Sequence, residues 1–179
     1  MTKGRRDVEE KVSVLISEEE VSARIKEMAA ELSRKYRGRT VHLIGILKGS
    51  IMFMAELSKH MTVPVTMDFL AVSSYGSGTV SSGNVTLKMD LSVDIEGRDV
   101  VVVEDILDSG RTLSYVVELL KEKNPDTLKV ITLLDKPDRR VIPVELEMTG
   151  FEIPDRFVVG YGLDYAEKYR NLPFIGALD

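Results

Sequence analysis

Glu104, Asp105 and Asp108 follow directly on four valines, Val100 to Val103. Ser109, Gly110, Arg111 and Thr112 come next, before the chain turns apolar again at Leu113. A buried run that ends in three carboxylates needs a partner for them, because an unpaired charge beside a core is costly. The small, polar stretch from Asp108 to Thr112 stands where a helix begins, and the amides of a helix N-terminus bind phosphate well. Ser109 and Thr112 add hydroxyl donors. One short segment thus offers phosphate donors and carboxylate acceptors together. The ligand that suits both is a phosphorylated sugar carrying magnesium, a cation that prefers oxygen ligands. A surface turn in which Asp108 caps a helix would account for Asp108 or Ser109, but not for Glu104 and Asp105. The segment is not a P-loop, since G-x-x-x-x-G-K-[ST] is absent.

The elements around this segment are legible from periodicity. Ser17 and Glu20 form a capping box, and Val21, Ile25, Met28 and Leu32 continue at helical spacing. VHLIGIL, residues 41–47, predicts a buried strand, with a turn at Lys48-Gly49-Ser50 and a short helix over 51–60. Strands are predicted over 63–70, 85–91, 99–104 and 128–134. Leu113, Val116, Val117 and Leu120 fall at i, i+3, i+4 and i+7, a helix that Asn124-Pro125 stops. FVVGYGLDY, residues 157–165, predicts one more strand leaving through a glycine-containing loop. The long Ser/Gly-rich stretch 73–85 has no periodicity and reads as a functional or disordered loop.

Strands alternating with helices argue for an α/β fold, a mainly parallel twisted sheet with helices on both faces. Ligands of such sheets bind beyond the carboxyl ends of the strands. Leu47-Lys48-Gly49, the acidic cluster and Asp135-Lys136 all fall at such ends.

Composition narrows the chemistry. The 179 residues suit a single domain over 1–179. There are no cysteines, which excludes thiolate catalysis and disulfides, and the two histidines make a histidine-rich metal site a poor fit. His42 and His60 read as structural. The net charge of −5 gives no general attraction for nucleic acid or anionic membrane. No apolar run approaches the ~20 residues of a membrane span, and the charged N-terminus lacks a signal-peptide core. A cytoplasmic protein is expected.

VVVEDILDSGRTL, residues 101–113 with Val100 ahead of it, resembles the 5-phosphoribosyl-1-diphosphate (PRPP) motif of type I phosphoribosyltransferases: an apolar strand, two acids, two apolar residues, then D-[ST]-G-x-T. GILKGSIMFMAEL (45–57), SSYGSGT (73–79) and GFEIPDRFVVGYGLDYAEKYRNLP (150–173) are similar to the hypoxanthine-guanine branch of that family. The likeness runs from about Val12 to about Gly176. It implies the type I phosphoribosyltransferase fold with a small hood formed by terminal segments and a flexible flap. It also implies a purine salvage reaction, in which hypoxanthine or guanine is transferred onto PRPP to give IMP or GMP plus diphosphate, with Mg2+ required. A dimer or tetramer of identical chains follows from the same likeness.

Carried over residue by residue, the resemblance puts the 5′-phosphate on Asp108, Ser109, Gly110, Arg111 and Thr112. It puts the ribose hydroxyls on Glu104 and Asp105, with magnesium near them, and makes Asp164 a direct magnesium ligand beside the purine. Lys48, Gly49 and Arg170 take the diphosphate, and the Leu47–Lys48 peptide is expected to be cis. Lys136, a donor only, favours a 6-oxopurine over adenine. Phe157 stacks on the purine and the Val158 backbone bonds its edge. Asp108 is the general base or acid near N7. Ser74 and Tyr75 belong to a flap that closes over the site and excludes water. Taken singly, Phe157 and Val158 would be strand core, and Lys48, Lys136 and Arg170 solvated cations. Three other readings compete: an RNA-binding regulator on the same fold, a non-catalytic nucleotide-binding module, and a transferase for xanthine or a pyrimidine. The acidic balance, the flap and Lys136 with the 150–173 segment speak against them.

Overall fold

The computed structural model of the chain describes residues 11–74 and 85–178. Its larger sheet is built from β2 (Val41–Leu47), β3 (Val65–Ser74), β4 (Val85–Met89), β5 (Asp99–Leu107), β6 (Thr127–Asp135) and β7 (Met148–Glu152), in the spatial order β4-β3-β2-β5-β6-β7. All neighbours are parallel except β3 and β4, which run antiparallel. A second, three-stranded sheet joins β1 (Val12–Ile16), β9 (Ile175–Leu178) and β8 (Val158–Val159). This is the hood expected of the terminal segments.

β2 and β5 are central and buried on both faces, which is why each reads as an unbroken apolar run rather than an alternation. Successive side chains still point to opposite faces. Val101 and Val103 pack with Val41 and Leu43 beneath α1 (Glu18–Lys35) and α2 (Ile51–His60). Val100 and Val102 pack with Ile44 and Ile46 beneath α3 (Arg111–Lys121). Helices therefore cover both faces, as the βα alternation predicts.

Local signals set the helix ends. The Ser17 hydroxyl accepts from the Glu20 N–H at 3.2 Å and the Glu20 carboxylate accepts from the Ser17 N–H at 2.8 Å, the expected capping box. Such a cap stabilises a helix by about 1 kcal/mol. α3 buries Leu113, Val116 and Leu120, the face its periodicity predicts.

Elements differ from expectation in several places: β1 and β9 are additional strands, and β3 runs on to Ser74, past the expected end at residue 70. β5 does not end at Glu104 but runs to Leu107, because β6 pairs with it as far as Leu107↔Asp135. The strand expected over 157–165 is reduced to Val158–Val159, since Gly160, Tyr161 and Gly162 all turn to positive φ. β7 was not anticipated: only its first residue is buried, so it has no clean period. His42 bonds Thr66 and His60 bonds Glu56.

Candidate active site

β2 and β5 are adjacent, yet their chains leave in different directions. β2 continues through α2 to β3 on one side, and β5 through α3 to β6 on the other. This divergence opens a crevice beyond their carboxyl ends, where open α/β sheets bind ligands. Leu47–Lys48 is a cis peptide, as expected. Gly49 follows it and lies so close to Asp105 that an added Cβ would sit 1.7 Å from the carboxylate Oδ2. Only a residue without a side chain fits there.

Glu104 and Asp105 are still in the strand, not leaving it. Both nonetheless line a cavity of about 300 Å³ with the segment from Ile106 to Leu113 and with Val85. Asp105 is buried, and its Oδ1 accepts from the Ile106 N–H at 2.7 Å. The Glu104 Oε2 is buried with no hydrogen-bond partner among the described residues. Burial, and Asp105 beside it, hold the Glu104 carboxyl well above the usual carboxylate range.

Beyond it the chain turns into α3. Gly110, with φ of +84°, is the residue before the helix, and no side chain caps it. A Cβ on Gly110 would lie 2.1 Å from the Ile142 carbonyl oxygen. The first-turn amides of α3 therefore open toward the same cavity, the arrangement that holds an anion. The Asp108 carboxylate meets Arg139 at 3.2 Å, and Arg139 also reaches Asp155 at 3.5 Å.

A third loop closes the other wall. Gly162 lies against the Gly49 carbonyl, which an added Cβ would meet at 2.0 Å. Arg170 donates to the Gly162 carbonyl at 2.7 Å and pairs with Asp164 at 2.8 Å. The other Asp164 oxygen accepts from the Glu167 N–H at 2.8 Å. Glu167 also pairs with Lys48 at 2.7 Å, which holds its carboxyl below the usual range. Lys48 and Arg170 are thus brought together, with Glu167 and Asp164 as their counter-ions.

Just past the end of β6, Lys136 is buried. Its Nζ donates to the Arg156 carbonyl at 2.6 Å and stands 4.0 Å from Asp155. Phe157 next door is 54% exposed, an unusual state for a phenyl ring, and meets Tyr165 edge-on at 5.5 Å. Val158 is buried and pairs with Ala177 of the hood. The structure therefore gathers Lys48, Gly49, Glu104, Asp105, Asp108 to Thr112, Lys136, Phe157, Val158, Asp164 and Arg170 around one crevice. Tyr75 and the rest of the expected flap lie outside the described residues, and Ser74 is described only as the last residue of β3. The sequence reading missed Glu167, Arg139 and Arg140. Their signals were weak: an acid three residues from both Asp164 and Arg170, and an Arg-Arg pair just after Lys136-Pro-Asp.

Comparison with known proteins shows the family. Residues 15–166 match the model of the phosphoribosyl transferase domain. The chain is 54% identical, over 92% of both sequences, to a hypoxanthine-guanine phosphoribosyltransferase of Bacillus subtilis. It is 52% identical, again over 92% of both, to one of Streptococcus pneumoniae. Among solved structures it superposes on a hypoxanthine-guanine phosphoribosyltransferase of Bacillus anthracis with a TM-score of 0.90 and 47% identity, covering 96% of this chain and all of the other. A hypoxanthine phosphoribosyltransferase of Staphylococcus aureus gives 0.89 and 48%, covering 93% of this chain and 91% of that one.

Proposed function

Since the chain belongs to the phosphoribosyltransferase family, we infer that it is a purine salvage enzyme that transfers hypoxanthine or guanine onto PRPP, releasing IMP or GMP and diphosphate. The observation that carries the residue-level reading is the convergence of four sequence-distant segments at the crevice between β2 and β5.

In this reading the amides from Asp108 to Thr112, with the Ser109 and Thr112 hydroxyls, receive the 5′-phosphate. Glu104 and Asp105 accept from the ribose hydroxyls. Lys48, Gly49 and Arg170 hold the diphosphate once it displaces the carboxylates of Glu167 and Asp164. Lys136 donates to the purine O6, where adenine would present a second donor and leave a buried group unpaired. Phe157 supplies a free ring face for the base, and the Val158 backbone its edge contact. As the bond to diphosphate loosens, the anomeric carbon gains positive character and the leaving oxygens gain negative charge. Lys48 and Arg170 are placed to stabilise that charge. Asp108 exchanges the proton at N7 of the purine. Ser74 and Tyr75 of the flap exclude water from the closed site.

The donor set also suits Mg2+. The partnerless Glu104 oxygen and the Asp105 carboxylate beside it, both on the cavity, offer the oxygen ligands that this cation takes. No group of three or more acids or histidines is arranged as a metal cage among the described residues. The two adjacent carboxylates on the cavity, with Asp164 on the loop across from them, suit an ion that keeps waters and binds one or two carboxylates plus substrate oxygens. Asp164 would hold it at the diphosphate, and Glu104 and Asp105 at the ribose. When bound, it supplies positive charge to the leaving diphosphate. No helix among the described residues is long and apolar enough to cross a membrane. A cytoplasmic dimer or tetramer completes the proposal.

The test is direct. The protein is mixed with PRPP and Mg2+, then with hypoxanthine, guanine, xanthine or adenine separately, and nucleotide and diphosphate are quantified by chromatography. IMP or GMP is expected, with adenine inert. Tight PRPP binding without product from any base would overturn the reading in favour of a binding module on the same fold.

A further inference from the structure

The short segment after Lys136 does something the proposed reaction leaves unused. It takes up the carbonyls on the approach to the phosphate loop, one after another. The Lys136 N–H donates to the Leu107 oxygen at 2.9 Å, and the Val141 and Ile142 N–H groups donate to the Ser109 oxygen at 2.9 and 3.0 Å. Between them, Arg140 Nε donates to the Asp108 oxygen at 3.0 Å, and Arg140 Nη2 reaches the Leu107 oxygen at 3.5 Å. The same Nη2 pairs with Asp135, the last residue of β6. The Arg140 side chain is only 19% exposed.

A trans peptide points its N–H opposite to its C=O. The planes whose carbonyls belong to Leu107, Asp108 and Ser109 carry the N–H groups of Asp108, Ser109 and Gly110. With the carbonyls drawn toward residues 136–142, those N–H groups are turned the other way, toward the cavity that residues 104–113 line. Asp135 neutralises the Arg140 charge, so what Arg140 supplies is geometry more than field.

We propose that Arg140 is a positioning residue for 5′-phosphate recognition: its guanidinium fork fixes the peptide planes of the 107–110 loop so that their N–H groups converge on the phosphate. The proposal rests on the reading that this loop takes the 5′-phosphate. It further ties the two ends of the nucleotide together, since the same segment begins at Lys136, the residue assigned to the base.

A point-charge ammonium cannot span two carbonyls and a carboxylate at once, so lysine is a poor substitute for the fork. The experiment compares inhibition constants of IMP and inosine for the wild-type protein, Arg140→Lys and Arg140→Met, with thermal unfolding followed in parallel. Both variants are expected to weaken IMP relative to inosine by about tenfold or more, as expected when hydrogen bonds to a charged group are lost. Equal weakening of IMP and inosine would reduce Arg140 to a general stabilising role. A wild-type ratio in Arg140→Lys would show that charge alone suffices. Either result overturns the proposal. A wild-type protein that binds inosine as tightly as IMP would instead remove the phosphate-loop reading, and the proposal with it. If both variants fail to fold, Val141→Pro replaces them. It deletes one N–H to the Ser109 oxygen at an exposed position, and the extended backbone of Arg140 (φ −65°, ψ 121°) tolerates a following proline. It should lower the same ratio by a smaller factor; an unchanged ratio would again sink the idea.

Discussion

The two walls of the crevice present their polar groups in different ways. The phosphate wall, residues 107–112, is fixed through its backbone: its carbonyls are bonded to residues 136–142 and Gly110 is packed on the Ile142 oxygen. The diphosphate wall has backbone bonds too, Tyr161 N–H to the Leu172 oxygen and Gly162 N–H to the Arg170 oxygen among them, but its charged groups are tied to one another by side-chain ion pairs. Lys48 and Glu167 are each about two-thirds exposed, and Glu167 is shared with Arg170. Exposed ion pairs are weak and exchange readily. That loop also carries Ala166, Glu167 and Tyr169 at positive φ, a conformation that costs non-glycine residues on the order of 1 kcal/mol each. In the proposed reading the contrast suits the two ends of PRPP. There the 5′-phosphate stays in place throughout the reaction and takes the built-in cradle. The diphosphate leaves, and takes the wall whose internal anions another anion can displace.

Asp108 combines the two, and altering it should have the largest effect. Its carbonyl is bonded to Arg140, while its carboxylate makes an exposed pair with Arg139. Asp108→Asn keeps the first and discharges the second. Turnover is expected to fall by about 10²–10⁴-fold with PRPP affinity little changed, the range of a lost general acid or base. Steady-state kinetics beside direct PRPP titration checks this, and unchanged turnover would take Asp108 out of the chemistry.

Next in size is Gly110→Ala. The left-handed φ and the Ile142 oxygen leave no room for a Cβ, so the loop must shift away from residues 136–142. PRPP affinity should drop by about 10–100-fold, from strain of ~1–3 kcal/mol, while diphosphate binding alone is unaffected. Equal losses for PRPP and diphosphate would erase the distinction between the walls.

Glu167→Gln probes the exchangeable wall. Freed from its counter-ion, Lys48 should meet diphosphate more readily. KM for PRPP is expected to fall by no more than about fivefold, and the effect should shrink in high salt. A hundredfold change, or one indifferent to salt, would mean that this wall is as rigid as the other.

The smallest effect is on stability. Glu104 keeps its proton to unusually high pH in the folded chain, because burial and Asp105 oppose its ionisation. The unfolded chain loses that proton first, so the folded state binds more protons across the interval between the two pKa values. Its stability is then full below the unfolded pKa and declines as pH rises through the folded one. In Mg2+-free buffer, Glu104→Gln should flatten that decline in Tm. Parallel Tm curves for the variant and the parent would refute the assignment.

Much of this architecture was legible in the chain because its signals are local. The Ser17–Glu20 cap, the 3.6-residue period of α3 and the continuous apolar runs of β2 and β5 each report their own burial within a few residues. The acids at the end of β5, the helix start after Gly110 and the positions of Lys48 and Lys136 at strand ends already confined the chemistry to one edge of the sheet. The 157–165 stretch misled because an apolar run says nothing of the positive φ at Gly160, Tyr161 and Gly162. β7 was missed because its burial comes from docking beside β6, not from its own pattern.

The sequence by itself therefore determined the helices, the central strands, the family and the kinds of group proposed to meet the ligand. Tertiary structure alone decided which groups meet each other. Arg139 and Arg140 carry no signal of their own until β6 brings them behind the phosphate loop, where Arg140 bonds Asp108, 32 residues away along the chain. Glu167 is one acid among many until the 160–170 loop folds onto Gly49 and brings it to Lys48, 119 residues distant. Secondary structure follows from side-chain period and capping over one or two turns. Pairings across such separations follow only from how the strands are ordered in the sheet.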